Sequence, residues 1–105
     1  MSQEMVEKLR EKMKHILGLK RAPSQSVVFF HLLGTGKTLM VSEIAGDVGF
    51  TPKATERAVA KLLDKELIQR SPFRAQSYTA DSKEVLLGLI LVVGDLKECL
   101  EKKGE

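Results

Sequence analysis

Several residue types and patterns are scarce or missing in this sequence, and each absence excludes something. Cys99 is the single cysteine, so the chain can form no internal disulfide and no cysteine zinc cluster. The longest apolar run, residues 85–93, is far shorter than the roughly 20 residues that a membrane-spanning helix needs. The charged N-terminal stretch lacks the apolar segment of a signal peptide. We therefore expect a cytoplasmic protein with no membrane contact.

The composition that is present describes one ordinary globular domain, residues 1–105. It is 43% hydrophobic and 30% charged, without repeats or low-complexity tracts. The chain has no asparagine and many lysines and glutamates, which is typical of thermophiles. Residues 1–21 and 51–79 each carry six basic and three acidic side chains, whereas the other segments are net acidic. Two basic blocks favour a nucleic-acid surface, although a solvated helix face gives the same balance.

The segment "GTGKT", residues 34–38, has the ending of a phosphate-binding loop. The complete pattern requires a second glycine five residues before Gly36, because only a tight turn lets backbone amides surround a phosphate; that position is His31. The chain is also shorter than the ~150 residues of a usual nucleotide-binding α/β domain. We therefore expect no nucleotide, no cofactor and no enzymatic activity, with Lys37 as a surface residue.

The apolar spacing indicates two helices before this segment. Apolar residues with a period of three to four predict an N-terminal helix over residues 1–20. Ser24 is placed to cap a second helix that ends at Gly34 and Gly36. Its residues 27–30 are β-branched or aromatic, so a buried strand is the alternative interpretation.

The next segment predicts two helices joined by a sharp turn. Ser42 is expected to cap a short helix over residues 43–48, and Gly49 to adopt the left-handed conformation that turns the chain. Thr51 followed by Pro52 marks the start of a second helix, whose apolar stripe runs to about Glu66. Two helices joined by a short glycine-containing turn form a helix-turn-helix. Ala45 is small enough for the two helices to cross closely.

Beyond Glu66 the apolar period changes from helical to that of strands. Residues 67–70 and 76–79 predict a hairpin around the turn 71–75, and residues 38–40 predict a third strand.

The stretch "SEIAGDVGFTPKATERAVAKLLDKELIQR", residues 42–70, resembles the winged helix-turn-helix of small prokaryotic transcriptional regulators, of the multiple-antibiotic-resistance or archaeal sugar-regulator type. The resemblance covers residues 24–80. It implies a mainly α fold with a small β-hairpin wing, a recognition helix over 51–65, and additional terminal helices at 1–20 and 81–105. Two positions depart from the pattern: Glu66 replaces the usual helix-ending glycine, and Thr55 replaces an inward aliphatic residue. Thr55 is expected to bury its methyl group and return its hydroxyl to the preceding turn.

The resemblance implies that the protein binds double-stranded DNA to regulate transcription. The expected contacts are the start of the recognition helix, its exposed cations and the wing, which comprise Ser42, Thr51, Pro52, Lys53, Glu56, Arg57, Lys61, Arg70 and Arg74. Arg57 is the candidate for reading a base. Glu56 is expected either to accept a hydrogen bond from cytosine or to hold Arg57 or Lys53. The alternative function is a winged-helix module that binds another protein of a transcription or replication complex.

The terminal helices predict a homodimer. Residues 85–93 are apolar on every side, which a lone domain of this size cannot bury, and operator sites for such regulators are usually paired. The alternative is that the first helix covers the last within one chain. The expected interface consists of Met5, Leu9, Met13, Ile16, Val85, Leu86, Leu89, Ile90 and Val93. His15 and His31 are expected to be packed or surface residues, because no second metal ligand accompanies them.

Overall fold

The computed structural model describes residues 2–103, which form five α-helices, a short 3-10 turn and a small sheet. The helices are α1 (Gln3–Gly18), α2 (Pro23–Thr35), α3 (Val41–Val48), α4 (Pro52–Asp64) and α5 (Ser82–Lys103), and the 3-10 turn spans Leu19–Arg21. The strands are β1 (Leu39–Met40), β2 (Gln69–Arg70) and β3 (Ser77–Thr79). The predicted mainly helical chain with a small β-hairpin is confirmed at this level. The last two residues of the predicted helix 81–105 lie outside the described residues.

The sheet is antiparallel, with β3 between β1 and β2. Tyr78 pairs with Leu39 on one side and with Arg70 on the other, so one strand joins the hairpin to the segment before α3. The predicted strand 67–70 is shorter than expected, since only Gln69 and Arg70 pair with β3. Leu67 and Ile68, 1% and 3% exposed, precede the strand and belong to the core.

Helix α2 lies at the centre of the core. Val28, Phe29 and Leu32 are fully buried, and α2 packs against both α3 and α4. The strand alternative for residues 27–30 is therefore wrong. The predicted Ser24 cap is also wrong: Ala22 is the N-cap residue, because Pro23 occupies the first helical position, where its missing N–H is not needed.

The α3–α4 turn follows the sequence-based prediction closely. Gly49 has a φ of 77°, and its N–H donates to the carbonyl of Ala45 at 2.9 Å. Thr51 Oγ1 accepts from the N–H of Ala54 at 3.1 Å and so caps α4. Thr55 is fully buried, and its hydroxyl donates to the carbonyl of Thr51 at 3.0 Å. Both roles expected of these threonines are confirmed.

The start of α3 differs from the prediction. The helix begins at Val41, directly after β1, so Ser42 is its second residue and not its cap. The backbone N–H of Met40 donates to the carboxylate of Glu43 at 2.9 Å, which satisfies a donor that the helix itself cannot. Ser42 is thereby left exposed at the surface.

Helix α4 ends through a residue that is not glycine. Glu66 has a φ of 58°, and its N–H donates to the carbonyl of Leu63 at 3.0 Å. The N–H of Leu67 donates to the carbonyl of Leu62, also at 3.0 Å. These two bonds form the Schellman pattern that usually places glycine at the left-handed position.

Helices α1 and α5 pack against each other within one chain. They run antiparallel, since Arg10 binds Asp95 at 2.9 Å while Met13 lies beside Gly88, seven residues earlier in α5. A Cβ atom at Gly88 would lie 2.7 Å from Cγ and Sδ of Met13, so glycine allows this close approach. A further ion pair joins Lys12 to Glu84.

This packing decides what the residues of the predicted dimer interface can contact. Leu9 and Met13 are each 5% exposed within the single chain. The alternative in which the first helix packs on the last within one chain therefore holds for these two residues. They offer no free surface in this conformation. Ile16 and Val85 are partly buried against the core. The remaining members are about half exposed or more, namely Met5, Leu86, Leu89, Ile90 and Val93.

Candidate nucleic-acid interface

The face of α4 that points away from the core carries a row of cations. Lys53, Arg57 and Lys61 recur every four residues, and all three are exposed. The opposite face consists of buried residues, Thr55, Ala58, Val59 and Leu62. Since residues four apart lie above one another on a helix, the three cations form one stripe along the surface of α4.

The beginning of α4 is also accessible. Thr51 and Pro52 are both exposed, although the hydroxyl of Thr51 is already engaged in capping the helix. Pro52 fixes the backbone of the first helical residue. The first turn of α4 is therefore a rigid, accessible end at which Lys53 begins the cationic stripe.

The β2–β3 hairpin lies beside the exposed face of α4. Arg70 of β2 lines one shallow cleft of about 200 Å³ with the α4 residues Glu56, Ala60 and Asp64. Arg70 is exposed at the edge of the sheet, opposite Tyr78. The hairpin therefore adds a fourth cation near α4, across the cleft from the side of the helix that carries Glu56 and Asp64.

The charged groups of this surface differ in whether they are paired. Over residues 2–103, no carboxylate oxygen lies within 4.0 Å of the charged nitrogens of Lys53, Arg57, Lys61 or Arg70. The expected ion pairs of Glu56 with Arg57 or with Lys53 are therefore not formed in this conformation. The four cations keep their full capacity to bind an external anion.

Arg74, in the hairpin turn, is paired. Its Nη2 donates to Oε1 of Glu43 at 3.4 Å, the same carboxylate oxygen that accepts from the N–H of Met40. Both side chains are about half exposed, so the pair contributes little to stability. The contact brings the hairpin turn next to the first turn of α3, where Ser42 is exposed.

The structure thus places all nine predicted DNA contacts at the surface, on α3, α4 and the hairpin. One exposed large apolar residue of the same region was not predicted as a contact. Phe73, in the hairpin turn, is 92% exposed. The signal available in the sequence was an aromatic residue between Pro72 and Arg74, inside a segment otherwise predicted to be a polar turn.

The other groups that sequence reasoning considered lie outside this surface. Nε2 of His31 lies 2.9 Å from Oδ2 of Asp47, which joins α2 to α3, and His15 lies 3.7 Å from Glu11 of its own helix. Gly36 has a φ of 64° and ends α2, so "GTGKT" begins within the last turn of a helix and does not follow the strand that a phosphate loop requires. Cys99 is exposed on α5.

The described part of the chain holds neither a metal-binding cluster nor a helix suited to crossing a membrane. Residues 2–103 contain no group of three or more histidine, cysteine, aspartate or glutamate side chains arranged to hold a metal ion. None of the helices in this range combines the length and the apolar character needed to cross a membrane.

The comparisons with known proteins do not extend these observations. No protein-family model matches the chain, and neither a curated protein nor a solved structure shows significant similarity to it.

Proposed function

We propose that the protein is a sequence-specific regulator of transcription that binds double-stranded DNA as a homodimer through a winged helix-turn-helix. The observation that carries this proposal is the row of unpaired cations on the exposed face of α4, next to a hairpin that bears Arg70. Such a row matches the regular phosphate charges of a duplex, and α4 has the position of a recognition helix, after a short helix and a sharp turn.

In this proposal, α4 enters the major groove with its N-terminal end first. Thr51, Pro52 and Lys53 meet the groove, and Arg57, one turn later, reaches the base edges. The guanidinium group of Arg57 can donate two hydrogen bonds to O6 and N7 of guanine, a contact that distinguishes this base from the others. Glu56 lies beside it as an acceptor for the amino group of cytosine.

The cations further from the N-terminal end of α4 contact the DNA backbone in this proposal. Lys61 and the hairpin residues Arg70 and Arg74 contact phosphates or the adjacent minor groove, so they add affinity without reading sequence. Arg74 leaves Glu43 and binds a phosphate instead. Breaking this ion pair costs little free energy, because both side chains are about half exposed. Ser42 donates its free hydroxyl to the backbone from the start of α3.

The homodimer of this proposal forms through α5. Five apolar residues of α5 recur with alternating spacings of three and four, namely Leu86, Leu89, Val93, Leu96 and Leu100, and each is between 46% and 63% exposed. This is the spacing at which two helices pack side by side in a coiled coil. Because α1 covers a different side of α5, the apolar row remains available to a second copy.

A salt-titrated binding assay tests the DNA part of the proposal. The full chain should bind random duplex DNA, with affinity falling steeply as salt rises. Substituting Arg57, Lys61 and Arg74 together by alanine should remove most of this affinity at low salt. The matched control substitutes Lys14, Lys20 and Lys83, which removes the same charge from exposed positions on α1, the 3-10 turn and α5.

Equal affinity of the wild type and of the first triple variant would refute the DNA interface. The protein-interaction alternative would then account for the fold, with the exposed face of α4 contacting another protein instead of DNA.

A further inference from the structure

The turn of the β2–β3 hairpin presents one large apolar side chain to solvent. Phe73 is 92% exposed, whereas the other exposed large hydrophobic residues of the described chain range from 37% to 65%. The exposed residues of α5 have apolar neighbours on the same helix, but Phe73 stands between Pro72 and Arg74 at the tip. The fold buries almost none of this ring, so only a partner outside the domain could remove it from water.

The backbone beneath this ring is held in place. Oγ of Ser71 accepts from the N–H of Phe73 at 3.1 Å and from that of Arg74 at 3.3 Å. The N–H of Ser71 donates to the carbonyl of Ser77 at 2.8 Å, which closes the base of the turn. Pro72 restricts the backbone further. The turn therefore projects Phe73 from an ordered support, which lowers the entropic cost of placing the ring in a binding site.

The chemistry around the ring indicates the kind of partner. Arg70 and Arg74 flank Phe73 along the hairpin, and the cationic row of α4 lies on the neighbouring element. An apolar side chain between cations is unsuited to an apolar protein groove but complements the minor groove of DNA. There the phosphates attract the cations, and stacked bases accept an apolar wedge between them.

We propose that Phe73 inserts between two base pairs from the minor groove and bends the duplex when the hairpin contacts DNA. This inference rests on the proposed function and adds a second mode of recognition to it. Pyrimidine–purine steps such as TA and CA unstack most easily, so the wedge selects sites with such a step beneath the hairpin. Arg70 and Arg74 bind the phosphates on either side of the opened step.

The test measures bending and affinity separately, with the full chain and duplexes of about 30 base pairs that carry a fluorescent donor and acceptor at their ends. Wild-type protein should raise energy transfer, because bending brings the ends together. Phe73→Ala should abolish that rise and weaken binding at least about fivefold at a site with a central TA step. Phe73→Leu should retain most of both, since a wedge needs apolar volume and not an aromatic ring.

The matched control is Leu17→Ala, which truncates another strongly exposed apolar residue, 65% exposed, on α1. It should bend and bind DNA as the wild type does. Because Phe73 is 92% exposed and Leu17 is 65% exposed, all three variants should melt close to the wild-type temperature.

The outcomes separate the two proposals. Duplex binding without bending, or equal bending by wild type and Phe73→Ala, would overturn the wedge and leave the regulator proposal standing. No duplex binding by the wild type would overturn both. A lower sedimentation mass for Phe73→Ala would place the ring in a contact between protein copies and overturn the wedge.

Discussion

At the scale of single residues, Glu66 occupies a backbone conformation that favours glycine. A side chain at a left-handed φ costs about 1–2 kcal/mol, and the φ of Glu66 is 58°. Glu66→Gly should therefore raise the free energy of unfolding by about 0.5–1 kcal/mol, since the greater freedom of glycine in the unfolded chain offsets part of the relief. Urea unfolding measures the change. Glu66→Ala keeps the Cβ atom and should give no gain; equal stabilisation by both substitutions would contradict this explanation.

The proposed division between base reading and phosphate binding also belongs to single residues. Arg57→Ala should lose the preference for one base position, worth about 1–3 kcal/mol of discrimination. Lys61→Ala should weaken binding to all sequences alike and reduce the salt slope by about one unit. Competition with a set of single-base operator variants, repeated at several salt concentrations, measures both effects. Loss of sequence preference in Lys61→Ala but not in Arg57→Ala would reverse the assignment.

Lys37 offers a test of the rejected phosphate loop. It is exposed and follows the glycine that ends α2, so Lys37→Ala should change the stability and the DNA affinity by no more than about 0.5 kcal/mol. Calorimetric titration of the wild type with magnesium and ATP should show no micromolar binding. Binding that this substitution abolishes would reinstate the nucleotide interpretation.

At the scale of elements, the α1–α5 contact depends on a glycine. Valine at position 88 would have to displace the buried Met13 side chain, whereas nothing lies within 4 Å of a Cβ atom at Gly94 of the same helix. The free energy of unfolding of Gly88→Val should therefore be about 1–3 kcal/mol lower than that of the matched control Gly94→Val. Because both variants place valine within α5, their difference in thermal or urea unfolding isolates the packing cost. Equal stabilities would mean that α1 and α5 do not approach this closely in solution.

The elements also show how far the sequence could predict the structure. The start of α4 was predictable because Thr51 and Pro52 act locally, through a hydrogen bond and a fixed φ that involve only neighbouring residues. The start of α3 was not, because β1 leads directly into the helix and the carboxylate of Glu43, not Ser42, takes over the capping contact. That arrangement depends on β1 pairing with β3, almost forty residues later in the chain.

The candidate site shows the same division between local and distant contacts. The four-residue spacing of Lys53, Arg57 and Lys61 placed them on one face of a helix without knowledge of the fold. The position of Arg70 beside Glu56, the pairing of Arg74 with Glu43 and the exposure of Phe73 all depend on how the hairpin packs. An all-round apolar α5 likewise gave no indication of which of its sides meets α1.

At the scale of the whole molecule, the shape is elongated. The radius of gyration is 15.6 Å, and the principal extents are 53 × 28 × 21 Å. A compact chain of this length has a radius of gyration of about 13 Å. The α1–α5 pair is long relative to the core, so it exposes more apolar surface than a rounder molecule would, and this supports the proposed homodimer.

The dimer prediction is tested best by point substitutions, because removing α5 would also uncover Leu9 and Met13. The wild type should sediment as a dimer at micromolar concentration. Leu89→Lys combined with Val93→Lys should give a folded monomer, since two cations in the apolar row would have to be buried without partners. Leu17→Lys, on α1, should leave the dimer intact. A monomeric wild type, or a double variant that remains dimeric, would show that this apolar row is not a dimer interface.

The length of α5 has a consequence for the DNA that such a dimer could recognise. Its 22 described residues extend about 33 Å, which is close to the pitch of B-DNA, about 34 Å. In a dimer whose two copies of α5 pair antiparallel, a rod of this length separates the two copies of α4 and fixes the helical phase of the half-sites. Inserting about five base pairs between the half-sites would turn one of them to the far side of the duplex, and inserting about ten would return it to the same side. Binding measured against spacer length should therefore rise and fall with the period of the double helix.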